Sequence, residues 1–251
     1  MKKAVKFLAL MICATVILGM TSCTEEENSN SSSGNSSGEI GNYTLGYYHP
    51  TKKIKKVLYQ DHVGRSWKSL SFTWDGDNLE TVIEEPSNIT YYFYYNSNGY
   101  INKIVSQRQG YTNSHTTTII YSRNTVEDPS SALKYQFDNN GTPTMLDDEP
   151  LSVLNGNISS YINATIRYDN KTNPFKNLIF PGIELELMLG YVYDDGSSIL
   201  PMTLPFLLTL SNNNITGIND GGNHNIEYDG DYPVLISDGY GGVQTISIEY
   251  Y

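Results

Sequence analysis

Apolar and polar side chains alternate one by one in several stretches of this chain. Leu70, Phe72 and Trp74 interleave with Ser69, Ser71 and Thr73, and Ile89, Tyr91, Phe93 and Tyr95 interleave with Thr90, Tyr92 and Tyr94. The same period of two runs through Leu133, Tyr135 and Phe137, through Ala164, Ile166 and Tyr168, and through Ile246, Ile248 and Tyr250. Successive side chains of an extended strand point to opposite faces, so each stretch predicts a β-strand with one apolar and one more polar face.

Five of the predicted strands end in an aromatic residue followed by Asp or Asn: Trp74-Asp75, Tyr95-Asn96, Phe137-Asp138, Tyr168-Asp169 and Tyr228-Asp229. A turn and a second apolar segment follow each. Asn98-Gly99 and Asn140-Gly141 supply the positive backbone angle of a tight hairpin, and the Asp or Asn that opens a turn can accept bonds from amides two residues on. Pro174 and Pro233 stand near turn exits, where a strand can start without its donor. The aromatic positions recur after 21 and then 42 residues, but the later intervals of 31 and 60 require insertions. From Phe175 to Leu207 prolines bracket apolar runs such as Leu185 to Leu189, which periodicity leaves open as short strands or a helical turn. The prediction is an all-β fold: an antiparallel up-and-down meander of repeated hairpins, curled into a barrel or a strongly bent sheet, forming one domain over residues 42–251.

The N-terminus is different in kind. Lys2, Lys3 and Lys6 precede an apolar run from Phe7 to Met20 that is too short to span a bilayer and reads as part of a signal peptide, residues 1–22. Leu18-Gly19-Met20-Thr21-Ser22-Cys23 closely resembles the bacterial lipoprotein signal, Met20 being a slightly loose fit. The resemblance implies cleavage after Ser22 and a diacylglycerol thioether on Cys23, with enough acyl chains to hold the protein on a membrane. Residues 23–41 form an acidic, then Ser/Asn/Gly-rich tether that is unable to bury a core. Its Glu25-Glu26-Glu27 cluster is similar to the surface-export signal of Bacteroidetes lipoproteins, which implies an outer-membrane, cell-surface location; the alternative is a solvated linker on a periplasmic protein.

Composition narrows the chemistry. Cys13 falls in the signal, so Cys23 is the only cysteine expected in the mature chain, and no intrachain disulfide or cysteine-based metal or redox site is available. Removal of Lys2, Lys3 and Lys6 takes the formal charge from −11 to −14, which argues against nucleic acid as a partner. The 21 tyrosines, with abundant Asn, Gly, Thr and Ser, suit a sheet-rich chain. Gly34-Asn35-Ser36-Ser37-Gly38 matches a serine-hydrolase pattern but sits in the tether rather than on a strand-to-helix elbow. His49, His62, His115 and His224 share no metal-ligand spacing. Asp75-Gly76-Asp77 and Asp229-Gly230-Asp231 lack a complete calcium loop and read as hairpin turns. Glu84-Glu85, Asp147-Asp148-Glu149 and Asp194-Asp195 are sequence neighbours, which says nothing of a facing carboxylate pair. The expectation is a protein that is not an enzyme and carries no cofactor or metal.

Hairpins of the form Tyr-x-Tyr-Asn-x-x-Gly-x-Ile, as in the unit from Tyr91 to Ile104, resemble those of a Bacteroidetes surface lipoprotein family of unknown function with a porin-like β fold. The segment Tyr168-Asp169-Asn170-Lys171-Thr172-Asn173-Pro174-Phe175 resembles the same family. The resemblance covers most of residues 45–251 and implies a fold without an activity; polar, tyrosine-rich strand faces lack the outward apolar band of a membrane-spanning barrel. Strand parity adds a candidate site. Trp67 is expected on the face opposite Leu70, barring a bulge, and Tyr92 and Tyr94 opposite Tyr91 and Phe93. Such aromatics on an open sheet face would bind a glycan or an outer-membrane protein partner, unless a second wall covers them. The functional expectation is a non-catalytic surface lipoprotein that binds glycan or another extracellular ligand. The alternatives are a structural component of an outer-membrane assembly and a glycan-active hydrolase.

Overall fold

The structure, a computed structural model, describes residues 40–61, 65–129, 133–179, 204–219, 223–237 and 244–251. The predicted signal peptide, Cys23, the tether up to residue 39 and the apolar run at 185–189 lie outside them. The first six strands are β1 (Ile54–Asp61), β2 (Ser66–Asp75), β3 (Asn78–Glu85), β4 (Ile89–Tyr95), β5 (Ile101–Arg108) and β6 (Ser114–Thr118). Then come β7 (Ile120–Tyr121), β8 (Thr125–Asp128), β9 (Leu133–Phe137), β10 (Pro143–Leu146), β11 (Glu149–Leu154), β12 (Asn157–Tyr161) and β13 (Ala164–Thr172). A short helix α1 (Leu204–Leu210) precedes β14 (Asn213–Ile218), β15 (Asn225–Asp229), β16 (Tyr232–Ser237) and β17 (Gln244–Tyr250).

The antiparallel meander is present, but it does not close into a barrel. Nine strands form one sheet in the order β15-β16-β17-β1-β2-β3-β4-β5-β6, and eight form a second in the order β14-β13-β12-β11-β10-β9-β8-β7. Strand β1 pairs with β17, Val57 against Ile248 and Tyr59 against Ile246. The ladder breaks between β6 and β7 and between β14 and β15. At the first break Ile119 still donates its amide to the Asn102 carbonyl at 2.9 Å, after which the chain pairs with β8 instead of β5. A single barrel of so many strands would enclose a lumen too wide for side chains to fill, whereas two sheets can share one packed interior.

The inward set matches the period-two reading. Leu70, Phe72, Tyr91, Phe93, Tyr135, Phe137, Ala164, Ile166, Ile246 and Ile248 are buried, with Trp74, Ile89, Tyr95, Leu133, Tyr168 and Tyr250 packed against them. The interior also holds a segment that is not a strand. Tyr43, Leu45 and Tyr48 are fully buried. The Tyr43 ring stacks on Phe137 at 4.5 Å and its hydroxyl donates to the Ser122 carbonyl at 2.5 Å, while Tyr48 donates to the Pro174 carbonyl at 2.9 Å.

Three of the recurring aromatics, Trp74, Tyr95 and Tyr168, serve places where paired strands slip register. Lys55, Glu80, Asn102, Ser159 and Val234 are the extra residues of five such bulges. The carbonyl before each extra residue accepts a bond from an aromatic on another strand: Ile54 from Trp74 Nε1 (2.8 Å), Leu79 from Tyr95 (2.9 Å), Ile101 from Tyr121 (2.5 Å), Ile158 from Tyr168 (2.8 Å) and Pro233 from Tyr250 (2.9 Å). A bulge leaves ladder groups unpaired, and a buried carbonyl without a donor is costly, so a large apolar residue with one polar tip fits both needs. Phe137 has no such tip, and the Tyr43 hydroxyl stacked beside it reaches the β8 region instead.

The turn chemistry holds at Asn96 and Asp138, whereas Pro174 lies in a turn that no strand leaves among the described residues. Asn96 Oδ1 accepts the amides of Asn98 and Tyr100 at 3.0 and 3.1 Å, and Asp138 Oδ1 accepts those of Asn140 and Thr142, both at 2.8 Å. The Thr142 amide, then that of Asn140, holds the Asp138 carboxyl below its ordinary range. Asp169 departs from the prediction, for β13 runs past it to Thr172. Its carboxylate accepts the amides of Lys171 and Asn214, both at 3.0 Å, and the Tyr228 hydroxyl, tying a register irregularity in β13 to β14 and β15.

Gly141 offers a test of how closely the buried N-terminal segment fits. It has φ of +81°, and an added Cβ would lie 2.5 Å from the Asn42 carbonyl oxygen. Gly76 also has positive φ but faces open space. Gly76→Ala is expected to cost about 1 kcal/mol through backbone conformation alone, and Gly141→Ala at least about 2 kcal/mol more. Thermal unfolding of the two variants checks this; equal midpoints would refute the close packing.

Candidate functional site

The outward face of the first sheet can be read as rows from strand register. One row runs Glu249, Lys56, Ser71, Ile83, Thr90, Gln107 and Ser114. The next runs Thr73, Thr81, Tyr92, Val105 and Thr116, and a third Tyr94, Lys103 and Thr118. Tyr92 and Tyr94 are 38% and 44% exposed, on the opposite side of β4 from buried Tyr91 and Phe93. Two residues of strand separate them by about 7 Å. Lys103 Nζ lies 4.1 Å from the Tyr94 ring centroid, and Thr73 and Thr81 share a hydroxyl bond at 2.6 Å.

This surface offers two rings on one strand, apolar edges from Ile83 and Val105, and a border of hydroxyls and an amide, with the Lys103 ammonium beside Tyr94 and the Lys56–Glu249 pair further along the first row. It can stack a flat, partly apolar ligand and satisfy its hydroxyls around the rim. Among the described residues no hydrogen bond engages the Tyr92 or Tyr94 hydroxyl. Ile83, Val105 and Lys103 escape a sequence reading focused on aromatics, although parity within β3 and β5 would have put the first two on this face.

Trp67 does not join the pair. Tyr59 faces Lys68 but Gln60 faces Ser66, so an irregularity falls at Trp67 and the parity argument lapses there. Trp67 is also six residues along β2 from Thr73, about 20 Å, and on a different strand from Tyr92. Its side chain, like Cys23, His62 and Asp194-Asp195, lies outside the described residues.

The other candidates have structural partners. Asp77 pairs with Lys53 at 2.9 Å and Asp229 with Lys52 at 2.6 Å, and in each case the lysine's bond and charge hold the carboxyl below its ordinary value. Asp231 pairs with Lys171 at 2.7 Å. His49 packs on Tyr47 with ring centroids 4.3 Å apart, and His115 is exposed on β6. Asp147 sits in a two-residue turn, where burial, then Asp148 and Glu149, push its carboxyl up. Among the described residues no three His, Cys, Asp or Glu side chains come together as a metal site.

Glu84 and Glu85 separate across the sheet. Glu85 is exposed, whereas Glu84 is 1% exposed and pairs with Lys68, itself 8% exposed, at 3.2 Å. The Glu84 carboxylate also accepts the Tyr91 hydroxyl at 3.0 Å and the Ser87 hydroxyl. Both ionic partners lie in phase with the inward residues Leu70 and Val82, a signal present in the sequence.

A groove of about 460 Å³ is lined by His49, Pro50, Lys52, Lys53, Asp77 and Tyr251. Its two lysines are those already paired with Asp229 and Asp77.

No family model matches the chain, and no curated protein matches it. Among solved structures it is similar to a porin-like protein from Bacteroides uniformis ATCC 8492, with 12% identity, 85% of this chain and 100% of that one covered, and a TM-score of 0.32.

Proposed function

We propose that the chain is a non-catalytic lipoprotein, lipid-anchored through Cys23 at the outer-membrane surface, that holds an extracellular glycan against the open face of the first sheet. The observation that carries this reading is a division among the tyrosines. Tyr95, Tyr121, Tyr168 and Tyr250 spend their hydroxyls on backbone carbonyls at bulges. Tyr92 and Tyr94 are exposed side by side and have no such structural use. Sugar rings present C–H faces to aromatic rings and hydroxyls to polar neighbours, which Thr81, Thr90, Thr116 and Gln107 supply.

The anchoring part rests on the sequence around Cys23. Near the first of the described residues, Asn42 donates its side-chain amide to the Asn139 carbonyl at 2.7 Å, beside the second sheet. The glycan face belongs to the other sheet.

One experiment tests both parts. The full-length chain is expressed with labelled palmitate, and its retention on a broad panel of immobilised glycans is measured. Tyr92→Ala/Tyr94→Ala is expected to abolish retention without altering circular dichroism, and Cys23→Ser to abolish labelling. Unchanged retention removes the binding face; continued labelling of the serine variant removes the anchor. The apolar Ile83, 38% exposed beside Tyr92, favours a second reading in which the face docks a protein of an outer-membrane assembly. Cross-linked partner recovery lost with the same double variant, with no glycan retained by the parent, would select it.

A further inference from the structure

The charge around this face identifies the class of ligand, an inference that rests on the binding role just proposed. Strands β4, β5 and β6 contain no Asp or Glu, in a chain with 27 acidic residues and a formal charge of −11. Lys52, Lys53, Lys68, Lys134 and Lys171 are each paired with a carboxylate. Lys103 has no carboxylate partner among the described residues; its ammonium lies over the exposed Tyr94 ring, opposite Thr118. Exposed Glu80 and Glu85 lie on β3, two strands from Lys103, and Glu249 lies on β17 opposite Lys56. Arg108, at the far end of β5, is in phase with buried Ile104 and leans on the Tyr111 ring at 5.4 Å, so it adds no charge to the row of Lys103.

We infer that the ligand is an acidic polysaccharide, its rings stacked on Tyr92 and Tyr94 and a carboxylate of the chain paired with Lys103 Nζ. A cation poised beside a stacking ring selects a sugar carrying negative charge: the ring supplies sequence-tolerant stacking, and the ammonium supplies a charge-assisted hydrogen bond that a neutral sugar cannot complete. A protein this acidic otherwise repels polyanions, so an island free of carboxylates is the kind of surface on which such a chain can settle.

The test uses the full-length lipoprotein in detergent and three immobilised polymers, polygalacturonate, alginate and hyaluronan, each beside its carboxyl-reduced form. The parent is expected to be retained on at least one acidic polymer and about ten-fold less on its reduced counterpart. Lys103→Gln should lose about ten-fold on the acidic form and nothing on the reduced one. Lys55→Gln, which removes an exposed cation elsewhere, should bind as the parent does. Equal retention of acidic and reduced forms, parent-like binding by Lys103→Gln, an equal loss in Lys55→Gln, or no acidic polymer retained would each overturn the acidic assignment. If neutral glycans are then still held in a manner that needs Tyr92, the binding face survives and its charge preference does not. If Tyr92→Ala/Tyr94→Ala binds every polymer like the parent, the face itself is wrong.

Discussion

Glu84→Leu is expected to destabilise the domain by about 3–5 kcal/mol, because it leaves the Lys68 ammonium buried without its counter-charge. The same change removes the acceptor used by Tyr91 and Ser87, adding to the loss. Lys68→Met should be comparably harmful, since it strands a carboxylate that is 1% exposed. The double variant Lys68→Met/Glu84→Leu should recover a large part of the loss, as apolar side chains of similar volume need no partner in that interior. Urea unfolding of the four proteins, followed by circular dichroism, measures the coupling. Single variants within about 1 kcal/mol of the parent, or a double variant as unstable as the sum of the singles, would show that the pair is not a coupled buried unit.

Raising the pH should unfold the protein through its tyrosines. Burial pushes the hydroxyls of Tyr43 and Tyr95 up from 10.0 to about 12, and burial pushes those of Tyr48, Tyr121, Tyr168 and Tyr250 higher still. In the unfolded chain these groups lose their protons near the ordinary value, so the unfolded state binds fewer protons above it. The stability tied to these groups is therefore complete below about pH 10 and drains away as pH rises through about 12. Loss of the proton also abolishes the donor at the four bulges capped by Tyr95, Tyr121, Tyr168 and Tyr250 and places an anion against each carbonyl. Tyrosinate absorbance from the buried set should thus appear together with loss of the β circular dichroism signal, as one cooperative event. A β signal that persists after the whole set has ionised would contradict the capping role. Tyr95→Phe should lower stability at neutral pH by about 1–3 kcal/mol, by orphaning the Leu79 carbonyl.

What can be read from sequence follows from periodicity. Leu70, Phe72, Tyr91, Phe93, Tyr135 and Ile246 are accessible because period-two alternation converts directly into facing, and Asn96 and Asp138 because their turns are local. Bulges are not accessible, since an extra residue leaves no compositional trace; that is why parity fails at Trp67. The buried segment around Tyr43 and Tyr48 has no strand period, so nothing local announces that its tyrosines fill the interior. Asp169 misleads for a related reason: an aromatic followed by Asp looks the same at a strand end as within an irregular strand. The division into two sheets falls where β6 yields to β7, at buried Ile119, whose bond to Asn102 is a contact between strands that leaves no local mark in the sequence. At the candidate face, alternation along β4 is enough to find Tyr92 and Tyr94, but only cross-strand register sets Lys103 against Tyr94.

The partnership of β1 with β17 has a consequence for the order of events during folding. β1 emerges early in synthesis and keeps one edge without a neighbour until β17 exists, so closure of the first sheet spans almost the whole domain. Contacts of such long sequence separation form late and slowly. The hairpins of β1–β6 and of β7–β14 need no such distant partner, so the seam between β1 and β17 is expected to be the last pairing of the first sheet to form.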